Sequence, residues 1–139
     1  MADPFNLQRF VAAQDLVFEQ VRSELLEGQK TGHWMWFIFP QIKGLGHSSK
    51  AERFAITSLA EAQAYLSHPT LGPRLRECTK LVINVRNRTV SEIFGYRDDM
   101  KFRSSMTLFS HATSENQLFK GALEKYFPAG FDRGTLDQI

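Results

Sequence analysis

Apolar residues return at intervals of three and four along nearly the whole chain, and that period constrains the fold more than any other feature. Leu7, Phe10, Val11, Val17, Phe18, Val21 and Leu25 form one such stripe, which predicts a single long helix ending near Gly28, and Leu71, Leu75, Cys78, Val82 and Val85 form a second. Spacing of this kind puts the side chains on one face of an α-helix. Phe102, Met106 and Phe109, then Phe119, Leu123 and Tyr126, carry the pattern towards the C-terminus. Helix-start chemistry stands ahead of the stripes. Asp3-Pro4 is a cap followed by a proline in the first turn, Ser49–Glu52 and Ser58–Glu61 have the hydroxyl and carboxylate spacing of a capping box, and Thr89–Glu92 opens a short helix. Asp98 or Asp99, and later Ser114, take the cap position for the last two helices. Gly28, His68-Pro69 and Gly95 mark helix ends. Hairpin-bounded alternation and internal repeats are missing. The pattern predicts an all-α domain of about six to seven helices spanning residues 1–139.

One stretch departs from the pattern. "TGHWMWFIFPQIKGLGHSSKAE" packs two Trp, two Phe, a Met and an Ile into the six positions Trp34 to Phe39, then turns to Pro, Gly and Ser. A continuous apolar run of that length is either a short buried strand or a buried helical turn, and periodicity does not choose between them. Read as extended, it puts Trp34 and Trp36 on one face.

Composition bounds the class of protein. A 139-residue chain is one domain's worth and buries roughly two-thirds of its unfolded surface without staples. With 42% hydrophobic and 12% aromatic residues it has the makings of a packed core. The single cysteine, Cys78, lies on an apolar stripe and can form no intrachain disulfide, which fits a reducing, cytoplasmic location. No signal peptide or membrane-length apolar run is evident, so no membrane partner is expected. Net charge is +2, but residues 74–103 carry eight Lys/Arg against four acids. Such a segment suits an anion, or is an ordinary solvated face. No specific nucleic-acid module is present.

The established catalytic signatures are absent: no G-x-S-x-G, H-E-x-x-H, P-loop or dinucleotide-binding glycine motif. The four His are scattered without ligand spacing, so neither a metal nor a cofactor is expected. What remains is "KGLGHSS", with Lys43, Gly44, Gly46, His47 and Ser48 running into a capped helix, a pattern that can cradle an anion or be no more than a turn. Gln41 and His33 bracket the aromatic run, and Trp34 and Trp36 offer flat faces for a planar ring. Farther along, Lys101, Ser104 and Ser105 share a helix face. If these three groups met, they would form a donor-rich pocket for a small anionic ligand. His33, or else His47, would then be the general acid or base of a hydrolysis, since imidazole titrates near neutral pH. The rival reading is a protein-interaction module that uses the stretch His33–Phe39, its partner unknown.

Five segments carry a family resemblance. "DPFNLQRFVAAQ", "GHWMWFIFPQIKGLGHSSKAERFAI", "EAQAYLSHPTLGPRLREC", "IFGYRDDMKFRSSMTLF" and "GFDRGTLDQI" together resemble the DUF1810 family of small, mainly α-helical domains of unknown function. The resemblance implies the helical fold and little about a reaction. The name calpastatin, sometimes attached to such proteins, describes an extended inhibitor and does not suit this aromatic-rich chain. Asp99-Met100-Lys101-Phe102 is also similar to a stretch of helical domains that process NAD or ADP-ribose derivatives, which points the ligand expectation towards nucleotide-like anions. Glu52 and Glu61 are read as capping partners, leaving no glutamate assigned to catalysis.

Overall fold

The longest helix, α8 (Asp98–Ala112), is buried over most of its length. A helix enclosed on several sides needs small residues where its neighbours approach, and Ser104, Ser105, Thr107 and Ser110 supply them. Their hydroxyls are mostly satisfied along the helix itself: Ser104 Oγ bonds Met100 O at 3.1 Å, Thr107 Oγ1 bonds Arg103 O at 2.9 Å and Ser110 Oγ bonds Thr107 O at 2.8 Å. Ser105 Oγ is the buried side-chain oxygen without a partner among the described residues.

The computed structural model describes residues 2–139, and these hold ten helices and no sheet. Before α8 come α1 (Gln8–Asp15), α2 (Phe18–Glu27), α3 (Met35–Ile38), α4 (Ser49–Arg53), α5 (Leu59–Ser67), α6 (Leu71–Ile83) and α7 (Val90–Phe94). After it come α9 (Gln117–Tyr126) and α10 (Arg133–Gln138). Helices α5, α7, α9 and α10 pack on α8, and α6 joins α5 and α9 and carries α2. Aromatic rings fill the seams: Phe102 sits 5.0 Å from Phe39 edge-on and 4.9 Å from Phe94 stacked, and Phe109 lies between Tyr65 and Phe119. Gly72 makes the α5–α6 contact possible, since a Cβ there would meet Leu66 O at 2.1 Å. The Leu71-to-Val85 stripe is buried throughout, and burial pushes the Cys78 thiol up to about 12, so it is inert.

Local details correct the reading of the sequence. The N-terminal stripe is two helices, because Val11 and Val17 are six residues apart and out of phase on a single helix. The chain turns at Leu16, which is 86% exposed. Helix α1 begins at Gln8, with Asp3 accepting from Leu7 N and Gln8 N; α2 ends at Gly28, whose φ is +79°. Ser48, not Ser49, caps α4 by accepting from Ala51 N, so Glu52 is one residue out of register for a capping box and is exposed. Ser58 accepts from Glu61 N, while the Glu61 carboxylate turns to Thr57 and Arg9. Thr89–Glu92 is a complete capping box. Neither Asp98 nor Asp99 is the N-cap of α8, which is Arg97; both lie in its first turn, where Asp99 accepts from Arg97 N and Met100 N. Ser114 is exposed and the N-cap of α9 is Asn116. The aromatic run is a helical turn, α3, and the sole extended pairing among the described residues is the parallel bridge between Ile42 and Ile56.

A buried carboxylate holds the α2–α3 corner. Glu24 Oε1 accepts from Thr31 N at 2.7 Å, Gly32 N at 2.9 Å and Trp34 Nε1 at 2.9 Å, while Gln20 Nε2 reaches Oε2 at 2.7 Å. Burial alone would raise its pKa, but the bonds from Gly32, Thr31, Gln20 and Trp34 outweigh it and bring the group down to about 2 from an ordinary 4.5. A carboxyl depressed on folding contributes stability that is complete above its unfolded pKa and is lost as pH falls through the folded value. Melting temperature should therefore drop between pH 4.5 and 2, and Glu24→Gln should flatten that drop while costing about 3 kcal/mol at pH 7. Thermal denaturation of both proteins across this pH range is the check; parallel profiles would show that Glu24 is not the controlling group.

Candidate functional site

Because α3 is helical, residues two apart point to opposite sides, and the two tryptophans separate. Trp34 is 1% exposed and belongs to the core. Trp36 is half-buried and forms a wall of a cleft of about 560 Å³, where α3, the glycine-rich loop, α4, the start of α8 and the start of α10 meet. The loop is pinned at its root by the Ile42–Ile56 bridge, through Lys43 N to Ile56 O at 2.7 Å and Ile56 N to Gln41 O at 2.8 Å. Gly44, with φ +102°, turns the chain, and a Cβ on Gly46 would come within 2.8 Å of the Ala51 Cβ, so the loop lies directly on α4.

Positive charge gathers around the Trp36 ring. Lys50 Nζ and Lys101 Nζ each lie 5.1 Å from its centroid, within cation–π range. Lys101 Nζ also bonds Asp98 Oδ1 at 3.1 Å, and the other Asp98 oxygen meets Lys30 Nζ at 2.8 Å. Burial would raise the Asp98 carboxyl, but hydrogen bonds from Lys30 and Lys101 and their charges hold it below its ordinary value. Arg97 lines the cleft one helical turn before Lys101, on a backbone with φ +83° held by the bond from its N–H to Asp99 Oδ1. On the opposite wall Asp132 caps α10: its Oδ2 accepts from Thr135 N at 3.0 Å and Thr135 Oγ1 at 2.7 Å and pairs with Ser104 Oγ at 3.1 Å.

Seven residues singled out in the sequence therefore share one cleft: Trp36, Gln41, Gly46, His47, Ser48, Lys101 and Ser104. Trp34 is withdrawn from it by the core. His33 is exposed ahead of α3 and is not among the lining residues, so it is not placed to act there. Lys43 is exposed outside the lining, Gly44 faces Gln138 and a narrow recess beside Gln41, and Ser105 is enclosed in the α8 packing. The lining adds Leu45, Ala51, Arg97, Met100, Asp132 and Gly134. Arg97 was legible as the residue four before Lys101. Asp132 was legible only as part of "GFDRGTLDQI", a segment without an apolar stripe. The basic segment 74–103 is not one surface: Arg74 pairs with Asp15 at 2.8 Å, and Arg103 donates to Gly130 O and Phe131 O. No group of three or more metal-ligating side chains occurs among the described residues, and none of their helices is long and apolar enough to cross a membrane.

A helical domain with a mixed-charge cleft against one tryptophan is the class this geometry defines, and the chain belongs to the DUF1810 family, proteins of unknown function, which it matches over residues 4–139. It is similar to the conserved hypothetical protein Rv1873 from Mycobacterium tuberculosis, whose crystal structure superposes with a TM-score of 0.97 at 56% identity, over 99% of this chain and 98% of that one. No curated protein matches the chain.

The two tryptophans make a paired test. Trp34→Leu removes a fully buried ring and leaves Glu24 short of a donor, so it should cost about 3 to 5 kcal/mol. Trp36→Leu exchanges a half-buried ring at the cleft and should cost about 1 to 2 kcal/mol. Urea unfolding of both variants measures the difference; equal losses would place Trp36 in the core.

Proposed function

We propose that the cleft binds a small anionic, nucleotide-like ligand, with ADP-ribose-like compounds in its range. The observation that carries this reading is the Trp36 ring with Lys50 and Lys101 against it and Arg97 beside them, which joins a surface for a planar group to cations for a phosphate. Gln41, His47 and Ser48 add polar contacts of the kind that orient a ligand in a pocket. Of the residues read as similar to NAD- and ADP-ribose-processing domains, Met100 and Lys101 line the cleft, Asp99 is buried in the first turn of α8 and Phe102 packs in the core. Hydrolysis, the reaction read from the sequence, would fall to His47, the imidazole on the cleft wall, rather than to His33.

The interaction-module reading fares worse. Trp34, Met35, Ile38 and Phe39 are buried and Trp36 and Phe37 half-buried, so the run presents no flat apolar patch. The exposed large apolar residues, such as Leu16, Leu26 and Tyr96, lie elsewhere.

The test is a thermal-shift and calorimetric titration with AMP and with inorganic diphosphate. Saturation at a hundred times the dissociation constant adds about 2.7 kcal/mol of apparent stability, a visible shift for a domain of this size. Lys101→Ala, which leaves Asp98 its pair with Lys30, should weaken either ligand by about tenfold while the protein stays folded, and raised salt should weaken binding further. A ligand-dependent change in tryptophan fluorescence should disappear in Trp36→Phe. Absence of any shift with both anions would overturn the reading.

A further inference from the structure

The cleft is polarised along α8. Arg97 and Lys101 line one end, Ser104 follows one turn beyond Lys101, and Asp132 meets Ser104 from α10. With a rise of 1.5 Å per residue, Arg97 and Ser104 are about 10 Å apart along the axis and Lys101 and Ser104 about 4.5 Å apart. Asp132 is the one acidic side chain among the thirteen lining residues. The bonds that fix its carboxylate, from Thr135 N, Thr135 Oγ1 and Ser104 Oγ, all end on Oδ2, and none involves Oδ1. Capping α10 and docking it on Ser104 occupy Oδ2 alone, so Oδ1 is left as an acceptor at the cleft, from which a bare anion gains nothing, since a carboxylate repels it. That acceptor does suit a ligand that carries neutral hydroxyl donors a few ångströms from its charge.

We propose that the cleft selects sugar phosphates of the ribose type, with the phosphate at Arg97 and Lys101 and a vicinal hydroxyl pair at Asp132 Oδ1 and Ser104 Oγ. This rests on the anionic-ligand reading and adds to it the sugar, the direction in which it lies and a specificity residue. A site built to bond a substrate hydroxyl rejects the analogue that lacks it, because the acceptor is left unpaired. A hydrogen bond to a charged acceptor is strong enough to change affinity by about tenfold or more.

The full chain is titrated by calorimetry with inorganic phosphate, ribose 5-phosphate and 2-deoxyribose 5-phosphate. The expected order is ribose 5-phosphate about tenfold or more tighter than phosphate, with the deoxy sugar in between. Asp132→Asn is the informative variant. Asparagine is an equally good N-cap, so its amide oxygen can take the place of Oδ2 for Thr135, while an NH₂ donor replaces Oδ1. It should bind phosphate as well as or better than the natural protein and lose the preference for ribose 5-phosphate. Retention of that preference in Asp132→Asn, or equal affinities of the natural protein for ribose 5-phosphate and 2-deoxyribose 5-phosphate, overturns the proposal. The second comparison decides the matter even if the variant fails to fold. Phosphate binding without sugar discrimination overturns this proposal and leaves the anionic-ligand reading standing; no binding of any of the three overturns both.

Discussion

The carboxylate of Glu24 gathers three donors onto a single oxygen, and the cleft inherits its geometry from that bond set. Thr31, Gly32 and the Trp34 indole are all drawn to Oε1, which fixes the chain between α2 and α3 and the ring on which α3 is seated. Lys30, beside the same corner, donates to Gly32 O at 2.6 Å and lies 5.1 Å from the Trp34 ring centroid. Its side chain is only 7% exposed and its charge is met by Asp98. Asp98 in turn holds Lys101 at the cleft. Three ionic side chains thus run in contact from the interior to the site, and Glu24 orients the segment from which they start.

An arrangement of this kind is cooperative because its members are buried to different depths. Asp98 stands between two ammonium groups, so loss of Lys101 leaves it paired, whereas loss of Lys30 would strip the deeper partner and leave a partly enclosed carboxylate with the more exposed lysine alone. The orientation of the cleft cation is therefore set from the core side. Met100 and Lys101 are aimed at the cleft while Phe102, next in sequence, is locked between Phe39 and Phe94, so the rigidity of the aromatic seam is passed directly to the site.

Helices were legible where their cause is local. The stripe from Leu71 and the helix start at Thr89 depend on neighbours three and four residues away, and both occur, although the helix of the stripe ends at Ile83 and leaves Val85 just beyond it. The run at Trp34 was ambiguous because what decides it is not in the run: the donor to Glu24 that buries Trp34 involves a residue ten positions earlier. Helix α10 has six residues and is held by bonds from Asp132 to α8, twenty-eight positions back at Ser104, which no periodicity announces. The convergence of "KGLGHSS" with Lys101 and Ser104 was legible as a possibility from residue type. That His33 and Lys43 stay outside, and that Arg97 and Asp132 join, depends on the helical turn at α3 and on the docking of α10. Register errors at Ser48 and Asn116 were of one or two residues: Ser48 takes the start of α4 with its hydroxyl, whereas Asn116 makes no side-chain cap bond and donates its amide to Ser110 O.

The Trp36 ring is not an empty platform, because two ammonium groups already rest against it. A neutral aromatic guest that pushed one of them aside to stack would bring nothing to the displaced charge except water. An anionic guest re-pairs the lysine it moves, so the same displacement costs less. The ring and its lysines together act as a filter that sorts guests by charge before shape is consulted.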